Sequence, residues 1–192
     1  MIVDEMFSIP FFSESIDLNN DEIAQYCETQ RKGDWVGNSV SNAGGWQSNP
    51  FYDIPEELTD LFSSVKRFSS EVCEVLGIDE IEFVNGWINI SEFKDFNWPH
   101  THADAILSGV YYVRAPENCG NIVFEHPNIE TMECVLDPSN IKVFTKFNTI
   151  GWQKNPQAGT LCLFPGWAKH YVNPNRNENN EDSRISISFN LR

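Results

Sequence analysis

The chain has 192 residues, 41% of them hydrophobic and 13% aromatic, and 28 acidic against 13 basic side chains give it a formal charge of −15. That length predicts one domain, 1–192, with a core large enough to fold without disulfide staples. The acidity, with no local basic patch, disfavours duplex nucleic acid as a partner, and the lack of any apolar run of 18 residues predicts no membrane span. Met1-Ile2-Val3-Asp4-Glu5 lacks the basic and apolar regions of a secretory signal. The five cysteines, Cys27, Cys73, Cys119, Cys134 and Cys162, are scattered without CxxC spacing. They read as reduced thiols, and a cytoplasmic location is expected.

Along the chain, Phe7, Ile9 and Phe11 alternate and suggest an edge strand, weakened by Pro10. Asn19-Asn20-Asp21-Glu22 reads as a helix start, Ile23, Tyr26 and Cys27 as its apolar stripe, and Gly33 as its stop. Residues 33–53, rich in Gly, Asn, Ser and Trp, predict a long functional loop. Pro55 opens a second helix. Leu58, Leu61, Phe62, Val65, Phe68, Val72, Val75 and Leu76 recur at three- and four-residue spacing up to Gly77. From Ile81 the period changes to two. Strands are expected at 81–91, 98–103, 106–114, 121–125, 131–136, 141–147, 159–164, 169–173 and 183–191. The polar run Asn173–Asp182 is expected to be a mobile loop. Residues 1–80 then form a helical and loop support for a core at 81–192. The fold class is α+β, mainly β with N-terminal helices, the strands forming a barrel or a double-sheet jelly roll.

Three of the four histidines occupy two short motifs. In Pro99-His100-Thr101-His102-Ala103-Asp104, ligand-type side chains recur at every second residue, which an extended strand places on one face. His170 follows Phe164-Pro165-Gly166-Trp167, 68 residues beyond His102. Iron(II) in oxygenases is typically held by two His and a carboxylate with positions left open. His102-x-Asp104 meets that form literally; His100-x-His102 meets it if a His replaces the acid. Near the C-terminus, Ile185, Ile187 and Phe189 mark a core face. Arg184, Ser186, Ser188 and Asn190 are thereby turned to solvent or to a polar barrel interior. An Arg with a nearby hydroxyl is a carboxylate clamp.

These segments, with Gly44-Gly45-Trp46-Gln47-Ser48, Trp87-Ile88-Asn89 and Leu107-Ser108-Gly109-Val110-Tyr111-Tyr112, resemble the iron(II)- and 2-oxoglutarate-dependent oxygenases, in particular the group common in phage and marine microbial genomes. The resemblance implies a cupin-like double-stranded β-helix, Fe(II) and 2-oxoglutarate as cofactors, and location in the host cytoplasm if the chain is phage-encoded. It implies a dioxygenase that couples decarboxylation of 2-oxoglutarate to succinate and CO2, consuming O2, to hydroxylation of a small-molecule or peptide substrate. By position it assigns His100 and His170 to the metal, with His102 in the place of the usual acid and Asp104 competing for that role. Arg184 and Ser186 fall where the distal carboxylate of 2-oxoglutarate binds. Asn89, and Tyr111 or Tyr112, are further cosubstrate contacts. Trp46 and Trp35, on the long loop, are candidate substrate contacts. Two alternatives stay open: a cupin-like metalloenzyme that does not use 2-oxoglutarate, and a non-catalytic jelly-roll binding or virion protein.

Overall fold

The computed structural model describes residues 1–179 and 182–192. The expected mobility of Asn173–Asp182 falls partly on 180 and 181, outside the described residues. Helix α1 (Asn20–Gly33) is capped by Asn19, whose side-chain oxygen accepts from the Glu22 backbone N–H. Asp21 and Glu22 lie in its first turn and Arg31 and Lys32 in its last, each favourable to the helix dipole. A short 3-10 turn, Glu56–Leu58, leads into α2 (Thr59–Leu76). Gly77, at φ 66°, takes the left-handed cap that ends α2.

Eleven strands among the described residues form two antiparallel sheets. The major sheet has six: β1 (Phe12–Ser15), β3 (Trp46–Gln47), β4 (Phe83–Ser91), β6 (Leu107–Arg114), β9 (Thr160–Pro165) and β11 (Arg184–Leu191). Their order is β1-β9-β6-β11-β4-β3. The minor sheet contains β2 (Asn42–Ala43), β5 (Phe96–His100), β7 (Ile122–Glu125), β8 (Gly151–Lys154) and β10 (His170–Val172), ordered β2-β5-β10-β7-β8. This is a double-stranded β-helix, with helices on the outer face of the major sheet. Ile88, Ile90, Tyr111, Leu161, Leu163, Ile185, Ile187 and Phe189 join Leu61, Phe62 and Val65 of α2 in the main core. Burying each such side chain contributes about 1.5–3 kcal/mol. A smaller cluster between the sheets, Val110, Tyr112, Ile122, Cys162 and Phe164, lines the barrel interior.

Several expectations are corrected. Residues 131–136 are not a strand but part of helix α3 (Ile129–Val135), and 141–147 form irregular chain. Met132 N–H donates to Asn128 O and Leu136 N–H to Met132 O, so the apolar pattern there has helical spacing. None of the α3 residues is buried. The strand that does cover β7 is β8, opened by a glycine and carrying Gln and Lys, and its composition hides it. The N-terminal edge strand lies later than expected, at Phe12–Ser15, paired with β9; Phe7 and Ile9 are exposed. The first 80 residues are more than a support, because they add strands to both sheets. Between β2 and β3 the chain changes sheets in two residues. Gly44 and Gly45, at φ 68° and 64°, make that corner. A Cβ on Gly44 would collide with the carboxylate of Asp95, so the corner needs glycine for both its torsion and its clearance.

Candidate active site

The major sheet turns one polar row after another into the barrel. On β11 these side chains are Arg184, Ser186, Ser188 and Asn190, opposite Ser91, Asn89, Trp87 and Asn85 of β4. Ser186 also faces Tyr112, and Asn190 faces Ser108, on β6. All but Ser91 and Ser108 line a cavity of about 440 Å³ between the sheets. The choice between solvent and barrel interior is thus decided for the interior.

The three motif histidines meet at this cavity. His170 lies directly opposite His100 in the β10–β5 pair, and their ring centroids are 4.4 Å apart. His102, just past the end of β5, is held by its backbone N–H on Gly166 O, 2.8 Å. Its ring stacks on Trp87, 5.6 Å between centroids. One ligand atom from each histidine lies within 4.8 Å of the others. His100 Nδ1 contacts Trp98 O at 2.7 Å and His170 Nδ1 contacts Ala168 O at 2.9 Å. A carbonyl can only accept, so both Nδ1 atoms carry the proton and both Nε2 lone pairs are free. Burial favours the neutral form of all three rings: it lowers His100, and it holds His102 at about 4 and His170 at about 3, where neighbouring histidines add to the effect. Three neutral imidazoles are suited to a transition-metal ion. Asp104 is exposed in the turn after His102 and is outside this group.

Arg184 lies along the same cavity. It is 3% exposed, and its Nη1 donates to Cys119 O at 2.9 Å and Gly120 O at 3.3 Å. Among the described residues no carboxylate forms an ion pair with it. Desolvation lowers its pKa. Asp95 acts on it electrostatically but makes no direct contact, and a buried cation hydrogen-bonded only to carbonyls is an anion-binding group. Tyr112 shares its surroundings and is fully desolvated, which raises the phenol pKa. Tyr111 points the other way, its hydroxyl donating to Asn20 Oδ1 at 2.6 Å, and does not line the cavity. Asn89 does line it, with Nδ2 donating to Ser188 Oγ at 3.1 Å.

The two loop tryptophans stand apart from the cavity. Trp46 pairs with Ile90 in register and so shares its outward face; it is buried in the main core, with Nε1 on Asp34 O at 2.5 Å. Trp35 is 82% exposed. The aromatic lining comes from Trp87 and Trp98 instead. Gln47, which pairs with Asn89 and faces inward, is a further polar group. Period-two alternation along β3 could have identified it, since its neighbour Trp46 is a core residue.

Residues 85–190 match the family described as 2OG-Fe(II) oxygenase, where 2OG is 2-oxoglutarate. Among solved structures, the fold is similar to a prolyl-4-hydroxylase from Pseudomonas putida, with TM-score 0.64 and 15% identity over 96% of this chain and 93% of that one. It is also similar to the viral collagen prolyl hydroxylase of Paramecium bursaria Chlorella virus-1, with TM-score 0.60 and 14% identity over 95% of each chain. A third is a Trichoplax adhaerens prolyl hydroxylase in complex with a peptide of hypoxia inducible factor, with TM-score 0.66 and 17% identity over 94% and 82%. At these identities the likeness is one of fold. No curated protein sequence matches the chain. The family match spans over half of the chain, which therefore belongs to the 2OG-Fe(II) oxygenase family.

Proposed function

We propose that this oxygenase binds Fe(II) through His100, His102 and His170 and anchors the distal carboxylate of 2-oxoglutarate on Arg184. One observation supports it above the rest: three neutral imidazoles converge in a cavity that also holds a buried guanidinium with no ion pair to a carboxylate among the described residues. The donor set fits the metal, because His100 and His170 are locked with Nε2 free and the His102 ring has no competing hydrogen bond among the described residues. The exposed Asp104 is left out of the ligand set in this reading. When bound, Fe(II) with 2-oxoglutarate supplies an oxidation in which O2 is consumed, succinate and CO2 are released, and one C–H bond of a second substrate becomes C–OH.

The chain's own groups do the positioning. Arg184 is four residues from Ser188, whose partner Trp87 stacks on His102. That is about 13 Å along a strand. Ser186 and the Tyr112 hydroxyl stand beside the guanidinium to donate to the same carboxylate. Cys119 O and Gly120 O fix one edge of the guanidinium, so its other edge is presented ready-made. Phe164 and Phe124 pack on His170 and exclude water around it.

The second substrate is a small molecule or a peptide segment, in keeping with the hydroxylase folds above. No helix among the described residues is long and apolar enough to cross a membrane. Five free cysteines, four of them buried, suit the reducing cytoplasm. The test is calorimetry with oxygen excluded, Fe(II) first and 2-oxoglutarate second, followed by succinate analysis after oxygen is admitted. One metal, one cosubstrate and slow succinate formation are expected. Metal binding without any 2-oxoglutarate binding would replace this reading by the cupin-like one.

A further inference from the structure

Among the described residues, the cavity lining carries one charged side chain. Arg184 is the only fixed charge among its described lining residues, which include no Asp, Glu or Lys, although the chain carries 28 acidic side chains. In their place are carboxamides. Gln47 is 7% exposed, faces the cavity from β3, and has no hydrogen bond to its side chain among the described residues. Asn85 ends a chain of polar contacts. Ser108 Oγ donates to Asn190 Oδ1 at 2.8 Å, and Asn190 Nδ2 donates to Asn85 Oδ1 at 2.9 Å. That order leaves the Asn85 amide N–H groups for the cavity. Asn89 spends its N–H on Ser188 and keeps its oxygen free as an acceptor. Trp87 and Trp98 supply apolar wall beside these groups.

We propose that the second substrate is taken as an uncharged, amide-flanked segment, a residue within a peptide rather than a free amino acid, and that the carboxamide of Gln47 selects it. The inference rests on the oxygenase reading, which assigns Arg184 to the cosubstrate and leaves no charge for the substrate. A free amino acid would bring an ammonium and a carboxylate into a site with no counter-charge for either, and burying unpaired charges is strongly unfavourable. A purely apolar substrate would displace water from Gln47 and Asn85 and leave both unsatisfied, also a cost. A peptide amide presents a donor and an acceptor side by side. A carboxamide presents the complementary pair, so two parallel hydrogen bonds form without any charge. The side chain of the bound residue then lies against the tryptophans.

The test uses full-length protein loaded with Zn(II) and 2-oxoglutarate, which cannot turn over, and measures binding by ligand-observed NMR. The probes are N-acetyl amino acid N′-methylamides and the free amino acids with the same side chains. Binding by one or more blocked probes, and by no free amino acid, is expected. Gln47→Leu should weaken the best blocked probe about tenfold, as the loss of buried hydrogen bonds requires, while leaving affinity for 2-oxoglutarate unchanged. Gln47→Glu, which keeps the shape but adds an unpartnered charge, should weaken the probe at least as much. Equal binding of a free amino acid and its blocked form would overturn the proposal. So would the absence of binding by every blocked probe at millimolar concentration, or unchanged binding in both variants. If the parent protein fails to bind metal or 2-oxoglutarate at all, it is the oxygenase reading that falls, and the two failures are distinguishable.

Discussion

Tyr111 and Tyr112 are adjacent in sequence and serve opposite sides of the major sheet. The Tyr111 hydroxyl bonds Asn20 at the start of α1, whereas Tyr112 faces the cavity beside Arg184. Their substitutions should therefore separate stability from cosubstrate binding. Tyr111→Phe should lower unfolding free energy by about 1 kcal/mol, or somewhat more because Asn20 Oδ1 loses its donor. Its affinity for 2-oxoglutarate should be unchanged. Tyr112→Phe should leave stability nearly untouched and weaken 2-oxoglutarate about tenfold to a hundredfold, the usual effect of one hydrogen bond to a charged group. Urea denaturation and anaerobic calorimetry read the two effects; a Tyr112→Phe protein with parental affinity would remove Tyr112 from the cosubstrate site.

Trp46 and Trp35 form a similar contrast within the long loop. Trp46 is packed in the core and bonded to Asp34 O, so Trp46→Ala should cost about 3–5 kcal/mol of stability. Trp35 is exposed, and Trp35→Ala should change stability by no more than about 0.5 kcal/mol. Denaturant midpoints decide both. A large loss at Trp35 would mean that the loop packs differently in solution.

What could be read from the sequence depended on how local the cause was. Helices α1 and α2 were legible because their signals are local: Asn19 caps α1 and Gly77 stops α2. The inward face of β11 was legible because Ile185, Ile187 and Phe189 fix the outward one. The convergence of His100 with His170 was legible only as spacing plus resemblance, since a register across β5 and β10 is a tertiary fact. The choice between Tyr111 and Tyr112 needed the pairing with β11, because a one-residue shift exchanges the faces. Residues 131–136 misled because Met132, Cys134 and Leu136 alternate as in a strand while Ile129, Met132 and Val135 have helical spacing, and the helix has no buried face to decide the matter.

The ligand assignment separates cleanly by mutation. His170→Ala and His102→Ala should each weaken Fe(II) binding by more than the roughly 10-fold to 100-fold that losing a ligand's hydrogen-bond partner costs. Each removes one of three ligands, so little Fe(II) should be retained. Asp104→Ala should retain the parental stoichiometry, because Asp104 is exposed and outside the cluster. Elemental analysis after gel filtration, with circular dichroism to check folding, measures this. Metal loss in Asp104→Ala with retention in His102→Ala would restore a two-histidine, one-carboxylate set.

Arg184 offers the sharpest test of the cosubstrate. Its guanidinium is buried, fixed on one edge by Cys119 O and Gly120 O, and without an ion pair to a carboxylate among the described residues. Bound 2-oxoglutarate would therefore complete a charge pair whose cationic half has already been desolvated and oriented during folding. Truncating one member of such a buried pair costs about 2–5 kcal/mol. At about 1.4 kcal/mol per decade, Arg184→Ala should weaken 2-oxoglutarate roughly thirtyfold to several thousandfold. Arg184→Lys should recover only part of the loss. An ammonium keeps the charge but cannot hold two carbonyls on one edge and a carboxylate on the other. Metal content should stay parental in both variants, because Arg184 lies outside the histidine cluster. The fold should not weaken in Arg184→Ala when no anion is present, since an unpaired buried cation is itself unfavourable. Added 2-oxoglutarate should raise the thermal midpoint of the parent and not that of Arg184→Ala. Parental affinity for 2-oxoglutarate in Arg184→Ala would show that the guanidinium serves Cys119 and Gly120 alone, and the carboxylate anchor would have to be sought elsewhere in the cavity.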